Sequence, residues 1–121
     1  MDLRNSMIEK GDGEMPREKF KTLTEQMFYI LLCLRRECRG VDILEAVRGT
    51  TDGRVTIGSG TLYDLLEQFL AAGMIRETKL EGRSRSYLIT DKGRELLGRE
   101  YRRIRCQAAD YDRVLREEGA G

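Results

Sequence analysis

The stretch TIGSGTLYDLLEQFLAAGMI, residues 56–75, decides the fold of this chain of 121 residues. Its apolar side chains recur at intervals of three and four residues, which is typical of a helix with one face toward a core. These side chains are Leu62, Leu65, Leu66, Phe69 and Leu70. Gly58 or Ser59 is expected to begin the helix, because both are acceptable N-caps, and Gly73 is the expected left-handed stop. The stripe leaves an outer face made of Gly60, Thr61, Asp64, Glu67 and Gln68, with Tyr63 at its flank.

A helical pattern also lies near the start of the chain. Thr22 and Glu25 have the spacing of a capping box, and an almost unbroken apolar run, residues 27–34, follows them. A run this apolar predicts a helix that is buried on most sides. Arginines after the run suit the negative end of this helix, and Gly40 is expected to end it.

The segments on either side of the quoted stretch complete the predicted architecture. A second helix is expected over residues 41–48 with Gly49 as its stop, and residues 54–57 alternate weakly enough for a very short strand. Two β-prone runs, residues 74–80 and 85–91, flank a polar turn and indicate a hairpin. Three helices joined by short turns and followed by a hairpin predict a mainly α protein, a winged helix-turn-helix with a small β-hairpin wing.

The C-terminal segment predicts one long helix over residues 92–118. At 1.5 Å per residue this helix is about 39 Å long, more than a small domain can cover. Its apolar residues follow the spacing of a helix that packs along another helix, which predicts a dimerisation helix. The predicted dimer interface is Leu97, Tyr101, Ile104, Ala108, Tyr111 and Leu115. The partner is either a second copy of the chain or the chain's own first helix, and a mixture of both also fits.

Composition limits the chemistry. There are 22 Lys and Arg residues against 21 Asp and Glu, and no histidine, so the commonest general base and the commonest metal ligand are missing. Cys33, Cys38 and Cys106 are too scattered for a zinc site; they are interpreted as apolar filler and partly exposed thiols, with redox sensing as the alternative. We expect no enzyme, no metal and no cofactor. No apolar run could cross a membrane and the N-terminus does not resemble a signal peptide, so a cytoplasmic protein with no membrane partner is expected.

The quoted helix is the one that a helix-turn-helix protein inserts into the major groove of double-stranded DNA, N-terminus first. Thr61 and Tyr63 can supply hydroxyl contacts, and arginines at the hairpin tip can bind phosphate. The predicted DNA-binding residues are Arg54, Ser59, Gly60, Thr61, Tyr63, Arg83 and Arg85. Residues 54–90 carry five basic and four acidic side chains, so phosphate binding is expected to be weak for each subunit. Asp64 and Glu67 are either a solvated face or acceptors for cytosine amines.

Two motifs carry a resemblance to a known family. GTLYDLLEQFLAAGMI, followed by a hairpin and SYLITDKGRELL, resembles the PadR family of transcriptional regulators over about residues 22–115. The resemblance implies a winged-helix homodimer that is held by its first and last helices, represses genes and often responds to small aromatic molecules. The short C-terminal region is similar to that of the subgroup with a single terminal helix.

The chain also departs from the family's pattern. Arg39, Gly40 and Val41 stand where members commonly have His-Gly-Tyr, and Gly58 and Ser59 stand where they have Ser-Pro. Some members stack drugs on a tryptophan of the terminal helix. This chain has no tryptophan, and Ile104 falls near that place.

These patterns divide the chain into three parts and leave two functional alternatives. Residues 1–15 are polar and are expected to form a mobile arm, residues 16–91 a winged-helix DNA-binding domain, and residues 92–118 the dimerisation helix. A small aromatic or apolar effector is expected at the dimer seam, near Met27, Tyr101 and Ile104. The leading hypothesis is a dimeric, sequence-specific repressor released by that effector. The alternative is a winged-helix module that binds proteins instead of DNA.

Overall fold

The computed structural model describes residues 22–120 and contains four helices and three strands in that range. In chain order they are α1 (Glu25–Cys33), β1 (Cys38–Arg39), α2 (Gly40–Thr50), α3 (Ser59–Ala71), β2 (Ile75–Glu81), β3 (Ser84–Ile89) and α4 (Asp91–Ala120). The predicted fold class is confirmed: three helices, a hairpin wing and a long C-terminal helix. The predicted arm, residues 1–15, and the predicted start of the domain lie outside the described residues.

The first helix is shorter than predicted at both ends. Thr24, not Thr22, is its N-cap, and the Thr24 side chain accepts a hydrogen bond from the Met27 N–H at 3.2 Å. The helix ends at Cys33, well before Gly40. Sheet pairing explains this early stop, because the Leu34 carbonyl accepts the Ile89 N–H at 2.8 Å and the chain then continues into β1. The arginines that follow Leu34 therefore do not lie on this helix.

The sheet has one strand more than the predicted hairpin. Its order is β1-β3-β2, and all neighbours are antiparallel. Cys38 and Arg39 of β1 pair with Tyr87 and Ser86 of β3. A strand of two residues leaves no periodic pattern in a sequence, so the sequence does not predict β1. Its effect is to tie the start of α2 to the wing.

The turn between α2 and α3 also differs from the prediction. Gly49 lies inside α2, which ends at Thr50. The buried Thr51 hydroxyl donates to the Val47 carbonyl at 2.9 Å and accepts the Val55 N–H at 3.1 Å. Because Thr51 takes this N–H, residues 54–57 form a loop, and the predicted short strand is wrong. Asp52 and Gly53 make the turn, both with positive φ.

The core lies between α1, α2, α3, the sheet and the start of α4. The predicted inward stripe of α3 is confirmed, since four of its five residues are buried and Leu70 is partly buried. Phe69 and Leu62 are fully buried. Gly73 has the expected positive φ, 75°, and turns the chain from α3 toward β2.

The last helix has two different halves. Near its start, Gly93 lies so close to the wing that an added Cβ would be 2.1 Å from the Met74 carbonyl oxygen. Leu96, Leu97 and Glu100 are buried against the domain, whereas every residue of 101–120 is exposed. None of the helices between residues 22 and 120 is long and apolar enough to span a membrane. The same range contains no cluster of side chains suited to a metal ion.

Candidate nucleic-acid interface

The N-terminus of α3 is open toward its surroundings. Gly58 is the N-cap, and no side chain in the described range caps this helix. The first-turn N–H groups are therefore not taken up by a capping side chain, and such groups attract anions. Ser59, Gly60 and Thr61 are exposed, and a Cβ added at Gly58 or Gly60 would meet no atom within 4 Å. Three of the predicted DNA-binding residues thus share one accessible helix end.

Tyr63 lies where three elements meet. A Cβ added at Gly40, the first residue of α2, would be 3.4 Å from ring carbons of both Tyr63 and Tyr87. Tyr87 of β3 is buried, and burial raises its pKa, while neighbouring Arg85 acts in the opposite direction. Tyr63 is 44% exposed, and its hydroxyl oxygen lies 3.5 Å from the same Cβ position at Gly40, so one edge of the side chain rests on the start of α2 while the rest remains accessible. Sequence reasoning did not identify Gly40 and Tyr87, because only the fold brings them to α3.

A groove of about 570 Å³ separates α3 from the wing. Tyr63, Arg83 and Arg85 all line it, so the structure brings these three predicted residues together. Asp64 and Glu67 of α3 line the same groove. Arg85 also lies 3.8 Å from Glu77 on the neighbouring strand, and the Gln68 amide donates to Asp64 at 3.2 Å. The groove has a positive side on the wing and a negative side on the helix.

Arg54 differs from the other predicted contacts. Its guanidinium donates to Glu25 Oε2 at 3.1 Å and to the Tyr29 hydroxyl at 2.9 Å, and it lies 5.7 Å from the centre of the Tyr29 ring. These hydrogen bonds raise the pKa of Arg54. Arg54 does not line the groove beside the wing. The structure places this side chain on α1 rather than beside the exposed end of α3.

The predicted dimer residues fall into two groups. Tyr101, Ile104, Ala108, Tyr111 and Leu115 are exposed along the free half of α4. Leu97 is only 6% exposed and packs in the core of its own chain, which leaves little of it for a second subunit. Val114 is 46% exposed but stands outside the predicted spacing. The unpaired apolar stripe therefore begins at Tyr101, one turn later than predicted.

Two of the three predicted effector residues, Tyr101 and Ile104, line shallow grooves between α1 and α4. Tyr101 and Ile104 line a groove of about 340 Å³ together with Phe28 and Tyr29. Met27 is partly buried and is not part of this lining. A second groove of about 280 Å³ lies on the other side of Tyr101. The sequence pattern assigned Phe28 to the core and gave no signal for Tyr29.

The three cysteines are free thiols in the structure. Cys33 and Cys38 are partly buried, and burial raises the pKa of both. Cys33 Sγ lies 3.9 Å from the Thr50 hydroxyl. Cys106 is exposed on the free half of α4.

Comparison with solved structures identifies proteins that have the same fold as this chain. The solved structures that share its fold include a transcriptional regulator from Clostridium thermocellum, RosR from H. salinarum, and the adhesin competence repressor AdcR from Streptococcus pyogenes. The first is 17% identical with a TM-score of 0.62, covering 85% of this chain and 97% of that chain. RosR is 17% identical with a TM-score of 0.60, covering 81% and 94%. AdcR is 13% identical with a TM-score of 0.55, covering 85% and 73%.

The family follows from the sequence itself. No curated protein matches the sequence significantly. The profile of the Transcriptional regulator PadR-like family matches residues 30–99, from the middle of α1 to the first turns of α4. This match covers more than half of the chain and includes the whole groove between α3 and the wing. The chain therefore belongs to the PadR-like family of transcriptional regulators.

Proposed function

We propose that the protein is a dimeric repressor that binds double-stranded DNA in a sequence-specific way, with α3 in the major groove and the wing beside it. The observation that carries this proposal is the division of α3 into two faces. Leu62, Leu66 and Phe69 are buried, while the uncapped N-terminus and the residues beside it remain exposed. A helix with a free N-terminus and an exposed polar face suits a DNA groove.

Each predicted contact has a distinct role in this proposal. Ser59 and Gly60 let the helix end approach a phosphate, with backbone N–H groups as donors. Thr61 and Tyr63 offer hydroxyl groups to base edges or to the sugar-phosphate backbone. Arg83 and Arg85, on the opposite wall of the groove, bind phosphate or enter the minor groove. Arg54, whose guanidinium donates to Glu25 and Tyr29 on α1, is not among these contacts.

The low net charge makes a second subunit important for affinity. Residues 54–90 have a net charge of only +1, from five basic and four acidic side chains, so one subunit neutralises few phosphates. Two subunits double the number of arginines on the DNA. The exposed stripe of α4 offers the surface for such a dimer, since Tyr101, Ile104 and Leu115 are large, apolar and 40–49% exposed.

Repression and release are the finer parts of the proposal. Among the structural neighbours, AdcR is named a repressor, which favours the same direction of control here. A small aromatic or apolar effector fits the 340 Å³ groove beside Tyr101 and Ile104, which a second subunit would close from outside. We propose that the protein acts in the cytoplasm, without a cofactor and without catalytic activity.

One observation favours a second candidate function. Asp64 and Glu67 line the same groove as the wing arginines and would repel phosphates. A winged-helix module that binds another protein would tolerate this mixed charge better than a DNA reader does. This module would keep its partner at salt concentrations that abolish DNA binding.

A gel-shift experiment separates the two candidates. The protein is titrated onto the DNA upstream of its own gene and onto random DNA of the same length, at several salt concentrations. We expect tighter binding to the upstream DNA and a steep loss of affinity with added salt. If the protein bound neither DNA fragment at low salt, the DNA-binding proposal would be refuted.

A further inference from the structure

Arg54 lies in the loop that leads into α3, and its contacts point backward to α1. Its guanidinium donates to Glu25 Oε2 at 3.1 Å and to the Tyr29 hydroxyl at 2.9 Å. Glu25 and Tyr29 lie one turn apart on the same face of α1, and they accept hydrogen bonds from two different nitrogens of the Arg54 guanidinium. We call these three residues the clasp. A weaker contact runs parallel to it, from the Gln26 amide to the Thr56 carbonyl at 3.5 Å.

The rest of the loop connects the clasp on α1 with the start of α3. Its beginning is fixed at the end of α2, where the buried Thr51 hydroxyl bonds to Val47 and Val55. Its end is Gly58, which has no side chain to cap α3 and meets no packed atom at its Cβ position. The start of α3 is therefore held by the burial of Val55 and Ile57 in the core and by the contacts of this loop, and not by a capping side chain. Arg54 is the charged side chain that connects the loop to another helix.

We infer that Arg54 is a positioning residue: the clasp sets where α3 begins, and Arg54 itself does not bind DNA. This inference rests on the proposed DNA binding, because its functional consequence is the discrimination between operator and random DNA. A guanidinium whose two terminal nitrogens donate to a carboxylate and a hydroxyl of α1 is held against that helix and has fewer N–H donors left for a phosphate. The loss of the clasp should therefore weaken sequence reading while leaving the number of phosphate contacts unchanged.

Tyr29 gives the clasp a second connection. One groove between α1 and α4 is lined by Phe28, Tyr29, Tyr101 and Ile104. The rings of Phe28 and Tyr29 meet edge to face, with 5.4 Å between their centroids. The side chain that holds Arg54 is thus also a wall of this groove. Whatever fills the groove contacts the clasp directly, and through it the loop before α3.

The test compares variants that break the clasp in different ways. Arg54→Ala removes the cation, Tyr29→Phe removes only the hydroxyl, and Glu25→Gln removes only the charge of the carboxylate. Arg48→Ala is the matched control, because Arg48 is an arginine of similar exposure whose ion pair with Glu45 stays within α2. Affinities for the upstream DNA and for random DNA are measured by fluorescence anisotropy over a series of salt concentrations.

We expect Arg54→Ala and Tyr29→Phe to weaken operator binding by about tenfold, a typical coupling, while random-DNA affinity stays within about twofold. Their combined effect should be smaller than the product of the two, because both break the same contact. The salt slope should not change. If Arg54→Ala instead lowered the slope by about 0.9 for each lost phosphate contact while Tyr29→Phe had no effect, Arg54 would be a DNA contact and the inference would be overturned.

A measurement without DNA keeps this inference separate from the proposed function. Hydrogen exchange at the amides of residues 55–62 should be faster in Arg54→Ala and Tyr29→Phe than in the wild type and in Arg48→Ala. Exchange in the core of α3, around Leu66, should stay the same. Unchanged exchange at residues 55–62 would overturn the clasp, whatever the DNA experiments give. If exchange at residues 55–62 were faster in these variants but the wild-type protein bound no DNA, the inference about the clasp would stand. Only the DNA-binding proposal would then be refuted.

Discussion

Helices α3 and α4 have apolar stripes of similar periodicity, but the two stripes differ in how far they are buried. On α3 the stripe is covered by the chain's own core, and Leu62 and Phe69 have no exposed surface. On the free half of α4 the stripe is uncovered, and Tyr111 and Leu115 are 68% and 41% exposed. Periodicity therefore identifies a face that packs, but not the molecule that covers it. The difference assigns the stripe of α3 to the interior of one chain and leaves the stripe on the free half of α4 exposed.

The largest effect should come from the covered stripe. Phe69→Ala removes a fully buried ring and leaves a cavity, so the free energy of unfolding should fall by about 3–5 kcal/mol. Urea denaturation measures this change. Tyr111→Ala on α4 is the control, and it should leave the unfolding of the winged-helix domain unchanged. Equal losses for both variants would mean that the two stripes do not differ as described.

The next effect concerns the uncovered stripe. Ile104→Asp places a carboxylate among the apolar side chains of the proposed dimer, so the dimer dissociation constant should rise by about a hundredfold or more. Multi-angle light scattering should then show folded monomers. Arg99→Asp, on the opposite side of α4, should keep the dimer. Leu97→Asp should instead impair folding, because Leu97 is buried in its own chain. A dimer that persists in Ile104→Asp would move the interface elsewhere.

The exposed end of α3 should affect sequence reading. Thr61→Ala or Tyr63→Phe removes a hydroxyl group from the outer face without touching the core. The free-energy gap between operator and random DNA should narrow by roughly 1–3 kcal/mol, with stability unchanged. Competition binding measures the gap. If the gap stayed at its wild-type value in both variants, these hydroxyl groups would not read the sequence.

The arginines of the wing should affect the overall affinity for DNA but not the discrimination between operator and random DNA. Replacing both Arg83 and Arg85 by alanine should weaken binding to every DNA sequence and reduce the salt slope by up to about two per subunit. Affinity measured against salt concentration gives this slope. Full affinity at all salt concentrations would show that the wing is not a DNA contact. The protein-binding alternative would then become the leading one.

The smallest effect should come from the boundary between the two halves of α4. Glu100 is buried there, and its pKa is lowered, first by hydrogen bonds from Arg103 and also by the Leu23 N–H. A carboxyl group with a lowered folded-state pKa stabilises the fold above its unfolded pKa, and this contribution is lost as the pH falls through the folded value. Stability should therefore decrease on acidification, and less so in Glu100→Gln. Identical pH profiles for both proteins would contradict this role.

The sequence predicted the features that depend on local pattern. The stripe of α3, its start at Gly58 or Ser59, the left-handed Gly73 and the wing follow from periodicity and from glycine chemistry. The features that the sequence places wrongly, such as the end of α1, depend instead on pairing between residues that are far apart in the chain. Helix α1 stops at Cys33 because β1 pairs with β3, a contact between residues far apart in the chain.

The candidate site shows the same limit. Thr61, Tyr63 and the wing arginines could be chosen from their positions on a helix end and a hairpin tip. The partners of Arg54 on α1 could not, because an exposed arginine has the same sequence signal whether it contacts DNA or another helix. Leu97 has the heptad spacing of its neighbours, yet the domain covers it.

One measurement tests most directly whether α3 and the wing, and not α4, face the DNA. Backbone amide signals of the protein are recorded by NMR with increasing amounts of a DNA fragment from upstream of its gene. We predict that the signals of residues 58–64 and 82–85 shift in proportion to the bound DNA, while those of residues 104–115 keep their positions. Shifts confined to residues 104–115, with residues 58–64 unaffected, would contradict the account.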